Sequence, residues 1–327
     1  MIQFFVTMAR TLSAVLLMAY ACCALAQQAY PTKPIRIISP YPVGGGTGIL
    51  ARIVGQKLSE AWGQQVLVDN RGGGNTVIGT EAVAKAAPDG YTLLVPTGFH
   101  VISSHLIHTL SYDPIRNFAP VATIASYELI LVAHPSVPAS NLQALIALAR
   151  ARPGQLNYAS AGSGGSGHLT VELLKIMTGI SIQQVPYNGS GPALNDVIGG
   201  QVELFVNAPT STIQHVKNGR LKAIAISGDK RLPALPQVPT FTESGLPGFD
   251  VMGWYAILAP AGTPKAIIDK LASEIARVLA MPDIKEMIVR QGLAPFISTP
   301  EQLGALMQAD SAKWGKVIKT ANIRLDN

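Results

Sequence analysis

The chain has 327 residues, of which 48% are hydrophobic and 13% charged, and a formal net charge of +6 at pH 7. It is too long for one ordinary hydrophobic nucleus, so two domains are expected. Its Lys and Arg are scattered and its aromatics few, which excludes a nucleic-acid partner and leaves a mild general attraction to anions or a simple aid to solubility.

At the N-terminus Arg10 precedes the apolar run Leu12 to Leu25, and Ala24-Leu25-Ala26 fits a small-x-small cleavage site before Gln27. Residues 1–26 are therefore expected to be a signal peptide cleaved near Ala26. The uninterrupted apolar stretch is short of the ~20 residues a membrane span needs. Cys22 and Cys23 are the only cysteines and would leave with this segment, so the mature chain has no disulfide, no thiol nucleophile and no thiolate metal site.

The remainder reads as repeated strand, loop and helix. Ile35 to Ser39 is a short buried strand, Gly44 to Gly48 a loop, and Ile49 to Trp62 a helix with Ile49, Ile53, Leu58 and Trp62 roughly on one face. Val66 to Asp69, Gly72 to Asn75 and Thr76 to Ala87 repeat the cycle. Pro88-Asp89-Gly90 then turns the chain into the strand Tyr91 to Val95, and Thr97-Gly98 opens another helix. The apolar stretch Tyr127 to His134 reads as an extended crossing to a second domain. There the strand Leu156 to Ser160 leads through Gly162 to Gly167 into a helix over His168 to Met177. Ile180 to Tyr187, Pro192 to Ile198, Val202 to Asn207, Thr210 to Asn218 and Leu221 to Ser227 continue the alternation. A second crossing, Trp254 to Leu258, returns to helices over Pro264 to Leu279, Pro282 to Gln291 and Pro300 to Lys319. Such alternation makes an α/β fold of mostly parallel sheets covered by helices, with the loops gathered off the carboxyl ends of the strands. Glycine turns at helix starts there expose unpaired N–H groups carrying roughly +0.5 charge, which suit a small acid.

YPVGGGTGILAR, VDNRGGGNTVIGTEAVAKAAPDGYTLL, LSYDPIRNFAPVA, LNYASAGSGGSGHL, VPYNGSGPALNDVIGGQVEL, LPQVPTFTESGLPGF and LAPAGTP follow one another from about Tyr30 to near the C-terminus. These blocks resemble those of the Bug family, also called TctC, of periplasmic solute-binding proteins associated with tripartite tricarboxylate transporters. The resemblance implies a two-lobed type II periplasmic-binding fold with two hinge crossings and a periplasmic location. Domain I would be residues 30–126 and 256–327, and domain II residues 127–255. It implies capture of a small-molecule carboxylate for uptake through membrane permease subunits or for sensing, by a monomer that has no cofactor and no metal and is not an enzyme. Carried over by position, it places Tyr41, Gly45, Gly46, Thr47 and Thr97 on the first domain's site, with His100 near the start of the Thr97 helix. On the second domain it points to Ser160, Gly162, Ser163, Ser166, His168, Tyr187 and Asn207.

Gly48 and Asn207 stand where many relatives carry an acid. Loss of two acids weakens recognition of a ligand amine and favours an unaminated acid, although drift at cap positions explains the same substitutions. Other motifs compete. Gly162, Gly164 and Gly167 satisfy GxGxxG, but the following strand ends without a ribose-binding acid. Ala161-Gly162-Ser163-Gly164-Gly165 is one residue from a GxSxG elbow, with Asp196 and His215 following in order, so a secreted serine hydrolase using Ser163 is the alternative. His100, His105 and His108 lack a nearby Asp, Glu or Cys to complete a metal shell. Arg71 reads as a structural tie, and Trp254 and Tyr255 as hinge packing.

Overall fold

The computed structural model describes residues 30–43, 46–187 and 189–325; residues 1–29, with the expected signal peptide, Gly44, Gly45, Asn188 and residues 326–327 lie outside them. Buried Ile35, Ile37 and Ile38 define strand β1 (Ile35–Ser39), which feeds helix α1 (Gly46–Trp62). Strand β2 (Val66–Asn70) and helix α2 (Val77–Ala84) follow, then β3 (Thr92–Leu94) and α3 (Phe99–Leu106). β1 pairs parallel with both β2 and β3, so the turns after all three strands share one edge.

The long strand β4 (Phe118–Glu128) gives way at Leu129 to β5 (Ile130–Ala133), and the chain enters a second sheet. Helix α4 (Leu142–Ala151), capped by the Asn141 side chain on the Ala144 N–H at 2.9 Å, precedes β6 (Asn157–Ser160) and α5 (Ser166–Thr178). Then come β7 (Gln183–Pro186), α6 (Ser190–Ile198), β8 (Leu204–Asn207), α7 (Pro209–Lys217) and β9 (Lys222–Ile226). Strand β10 (Met252–Pro260) returns to the first sheet, followed by α8 (Lys265–Ala280), α9 (Pro282–Arg290), the short β11 (Ala294–Pro295) and α10 (Pro300–Thr320).

The first sheet has the order β11-β4-β10-β3-β1-β2 and the second β7-β6-β8-β5-β9. Parallel pairing belongs to the strand-turn-helix cycles: β1 with its neighbours, and β6 with β7 and β8. The crossing stretches, expected only as connections, are themselves ladder strands. β10 runs antiparallel to β3 and β4, and β5 antiparallel to β8 and β9. Their uninterrupted apolar sequence follows from burial on both faces.

Two apolar clusters flank each sheet. Helices α3 and α10 belong to both lobes. Val101, Leu303 and Met307 pack with the first sheet, whereas Ile102, Leu106, Trp314, Val317 and Ile318 join the core of the second. Each such fully buried side chain contributes roughly 1.5–3 kcal/mol. Thr299 and Gln302 start α10 with a reciprocal capping box, at 3.2 and 2.9 Å.

Candidate functional site

A cavity of about 470 Å³ opens between the lobes where the turns converge. Tyr41 and Pro42 after β1, Gly73, Asn75 and Thr76 after β2, and Thr97 and Gly98 after β3 form one side. Gly162, Ser163, Gly165 and Ser166, after β6, form the other. Tyr127 and Gly253 from the crossing strands, and Asp310 and Trp314 from α10, complete the wall. A recess of about 310 Å³ shares Tyr41 and Thr97 and is lined further by Gly46, Thr47 and Tyr255.

The turns require left-handed backbone, with φ of +140° at Gly162 and +75° at Gly164. Helices α1, α2, α3 and α5 all begin at these two cavities, and none has an acid in its first turn. The caps of α2, α3 and α5, namely Thr76, Gly98 and Gly165, give no side-chain hydrogen bond to the helix they precede. The positive ends of these helices therefore face the cavities without a carboxylate in their own first turns.

Among the described residues no Lys, Arg or His lines the larger cavity. The Tyr41 and Tyr127 phenols are pushed up by burial, so they remain neutral hydroxyls, and Tyr41 Oη lies 2.6 Å from Thr97 Oγ1. The one carboxylate among the described lining residues is Asp310, whose Oδ2 accepts the Trp254 indole N–H at 2.7 Å.

Of the residues singled out from sequence, Tyr41, Thr97, Gly162, Ser163 and Ser166 meet at the cavity, and Gly46 and Thr47 at the recess. Thr47 Oγ1 is buried and 2.8 Å from Ser39 Oγ. Gly45 lies outside the described residues. The others do not line the cavity. Ser160 is fully buried and accepts from Gln184 Nε2 at 2.7 Å. His168 is turned inward: Nδ1 accepts the Gly164 N–H at 2.9 Å while Nε2 lies 3.8 Å from Glu172, so the imidazole fixes the turn from behind. This happens because α5 starts at Ser166, two residues earlier than the sequence suggests, which puts His168 in the first turn. Tyr187 donates to Asp196 at 2.7 Å, and Asn207 to Ser211 at 2.9 Å.

His100 is also internal, 2% exposed, with Nε2–H donating to the Pro114 carbonyl at 2.7 Å and the ring edge-on to Phe118. Burial pushes its pKa down to about 4, from an ordinary value of 6.5. The unfolded chain therefore binds the proton more readily. The contribution is complete above about pH 6.5 and is lost as pH falls toward about 4, up to about 3 kcal/mol. Urea unfolding should show this loss, and His100→Asn, which keeps a donor for Pro114, should flatten the profile; an unchanged slope would remove His100 as its source.

Competing motifs do not assemble. Asp196 is engaged by Tyr187, and no hydrogen bond among the described residues links it to His215 or His215 to Ser163. No group of three His, Cys, Asp or Glu among the described residues is placed to hold a metal. Arg71 pairs with Asp69 at 2.8 Å. Trp254 is fully buried, whereas Tyr255 reaches the recess.

The family model for the tripartite tricarboxylate transporter family receptor, TctC, matches residues 50–323. The chain belongs to this family. BugT of Bordetella pertussis is 36% identical over 298 residues, spanning 90% of this chain and 91% of that protein. The R. palustris protein Rpa4515, solved with adipate, superposes with a TM-score of 0.79 at 35% identity, covering 90% of this chain and all (100%) of that one. MatC from Rhodopseudomonas palustris, with bound malate, gives 0.74 at 31%, covering 88% and 100%. TctC members are two-lobed periplasmic solute-binding receptors and not enzymes, so the hydrolase reading of Ser163 is set aside.

Asp310 is a lining residue that the motifs do not point to, although a signal is present. Leu303, Met307, Asp310, Trp314 and Val317 recur at helical spacing, so this acid sits on the buried stripe of α10.

Proposed function

We propose that this TctC chain is an exported receptor that closes its lobes on a small carboxylate and delivers it to the membrane permease of a tripartite tricarboxylate-type transporter. The observation that carries the reading is the convergence of three helix starts without first-turn acids on one interlobe cavity, with a fourth at the adjoining recess, and no basic side chain among the described lining residues. An anion there is held by amides and hydroxyls rather than by a guanidinium clamp. The adipate and malate of the two R. palustris relatives, both carboxylates, support that class. Arg10, the apolar run after it and Ala24-Leu25-Ala26 support export to the periplasm with cleavage near Ala26. The chain's passage between the sheets at Leu129 and between β9 and β10 supports two lobes divided near those points, a few residues inside the expected bounds of 126 and 256, because Tyr127, Glu128 and Met252 to Tyr255 belong to strands of the first sheet.

Gly48 and Asn207 favour an unaminated acid only through the turns they occupy. Asp310 adds an acid to the cavity from another element, so an amine is not disfavoured on that ground.

Micromolar affinity requires about 8 kcal/mol, and each hydrogen bond to a charged group supplies about 1.5–3, so several contacts from both lobes must act together. A thermal-shift screen of the mature protein against mono-, di- and tricarboxylates, aromatic acids, amino acids and zinc should raise the melting point with carboxylates. Ser163→Ala and Thr97→Val should each weaken the best binder by about 10- to 100-fold; the unliganded melting point should stay in place for Ser163→Ala and fall for Thr97→Val, which also loses the contacts of Thr97 Oγ1 with the Tyr41 hydroxyl and the Phe99 N–H. A response to zinc alone, or unchanged affinity in both variants, contradicts the assignment.

A further inference from the structure

We infer that the ligand is an aromatic carboxylate whose ring stacks on Tyr127 while the helix starts hold its anionic group. The inference rests on the carboxylate reading above and narrows it to one kind of body for the acid.

The glycine turns and the hydroxyls of Thr97, Ser163 and Ser166 supply hydrogen-bond donors to the cavity, but another part of its wall offers carbon. Phe99, Ile102, Tyr127, Val251 and Trp314 all line it and all belong to one apolar cluster, with Phe99 and Tyr127 only partly buried against that cluster's core. Contiguous apolar surface of this kind returns binding energy only to a ligand that covers it with carbon. A small hydroxylated acid would instead lose hydration there without a partner.

The setting of Tyr127 gives that carbon its shape. A Cβ placed on Gly253 would meet Tyr127 Cζ first, with Cε1 and Cε2 equally distant at 2.5 Å and Oη no nearer. Only a point over the face of the ring has that pattern. The ring therefore lies flat on the backbone of Gly253, its cross-strand partner in the ladder of β4 and β10, and any larger residue there would lift it. The phenol hydroxyl is itself buried, which pushes its pKa up, so what Tyr127 leaves to the cavity is ring carbon. Tyr255, on the same face of β10, stands beside it with ring centroids 5.4 Å apart and planes tilted by 41°. Tyr41 likewise commits its buried hydroxyl to Thr97 Oγ1, at 2.6 Å. Rings rather than phenol hydroxyls thus face the ligand. A ring set against a ring gains about 2- to 10-fold in affinity beyond the area it covers, which a saturated body of equal size does not collect. The adipate of Rpa4515 and the malate of MatC carry no ring, so the inference separates this chain from both relatives.

Calorimetric titration of the mature protein tests this with benzoate, phenylacetate and phenylpropionate, each against its cyclohexyl counterpart, and with adipate and malate. At one or more of the three lengths the aromatic acid should bind about threefold or more tighter than its saturated counterpart, and about tenfold or more tighter than adipate and malate. Tyr127→Phe, which keeps the ring, should retain the preference for the aromatic acid, and Tyr127→Leu should abolish it. If Tyr127→Leu does not fold by circular dichroism, the wild-type comparison alone decides. Cyclohexyl acids binding as tightly as the aromatic ones at all three lengths, adipate or malate binding as tightly as the best aromatic acid, or a folded Tyr127→Leu with its preference intact, would overturn the inference while leaving the carboxylate reading in place. If no carboxylate of any kind binds, both fall together.

Discussion

Trp254→Ala is expected to destabilise the protein by about 5 kcal/mol, at the upper end of what a single truncation in a core costs. The side chain is fully buried within a cluster that includes Leu94, Val101, Leu303 and Met307, so truncation leaves a cavity as well as lost contact area. It also leaves Asp310 without the indole N–H that meets its Oδ2 at 2.7 Å. Because Trp254 lies on β10 and Asp310 on α10, the pair ties the last helix, which packs on both lobes, to the returning crossing strand. Trp254→Phe separates the two effects, since it retains most of the volume and loses only the donor, at about 1–3 kcal/mol. Adding Asp310→Leu to Trp254→Phe should restore part of that loss, a non-additivity read from urea midpoints. A Trp254→Ala protein within about 1 kcal/mol of wild type would show that the tie does not hold the fold.

Gly164→Ala is expected to lower affinity for the best carboxylate by about 100-fold or more. A left-handed φ of +75° at this residue costs a side-chain-bearing residue about 1–2 kcal/mol, and the added Cβ would run into Leu106 of α3, across the lobe boundary. The backbone N–H of Gly164 is also the group that His168 Nδ1 accepts, so any shift breaks that support. Displacing the turn moves Ser163, Gly165 and Ser166 together, and hydrogen bonds to a bound anion weaken steeply as geometry departs from the optimum. Gly179→Ala is the control. It also has positive φ, +69°, but closes the far end of α5 with nothing within 4 Å, so it should cost stability without affecting affinity. Equal calorimetric affinities for Gly164→Ala and wild type would mean that the turn does not shape the site.

Much of the fold is legible from punctuation alone. Glycine-rich turns between short β-branched runs and apolar-periodic stretches locate β1 to β3 and α1 to α3, because only a turn free of Cβ joins those elements so tightly. The antiparallel ladder is harder to see. A strand buried on both faces has no alternation to distinguish Tyr127 to His134 as the end of β4 and all of β5, and nothing local in the sequence states pairing direction. Helix α4 is absent from the sequence-based elements although Asn141 caps it. Its apolar positions Leu142, Leu145, Ile146 and Ala149 have helical spacing, but Ala144, Ala147 and Leu148 fill the positions between them, so the stretch reads as nearly continuous apolar sequence and the one-sided period is blurred.

For the site, the sequence locates the turns but not the orientation of each side chain within them. Ser163 and Ser166 reach the cavity while Ser160 and His168, a few residues away, are consumed by Gln184 and Gly164. A shift of two residues in where α5 begins is enough to turn His168 from the ligand side to the support side. Asp310 illustrates the opposite failure, since it lies far along the chain from every glycine turn of the site and reaches the cavity only through the packing of α10 across both lobes.

A crystal structure of the mature protein with the carboxylate that gives the largest thermal shift would decide whether the helix starts hold the anion. The expected result is carboxylate oxygens within about 3 Å of backbone N–H groups at the start of α5 and at one or more of the α1, α2 and α3 starts, with both lobes in contact with the same ligand. A carboxylate bound to one lobe alone, or held at a lysine or arginine outside the interlobe cavity, would contradict it.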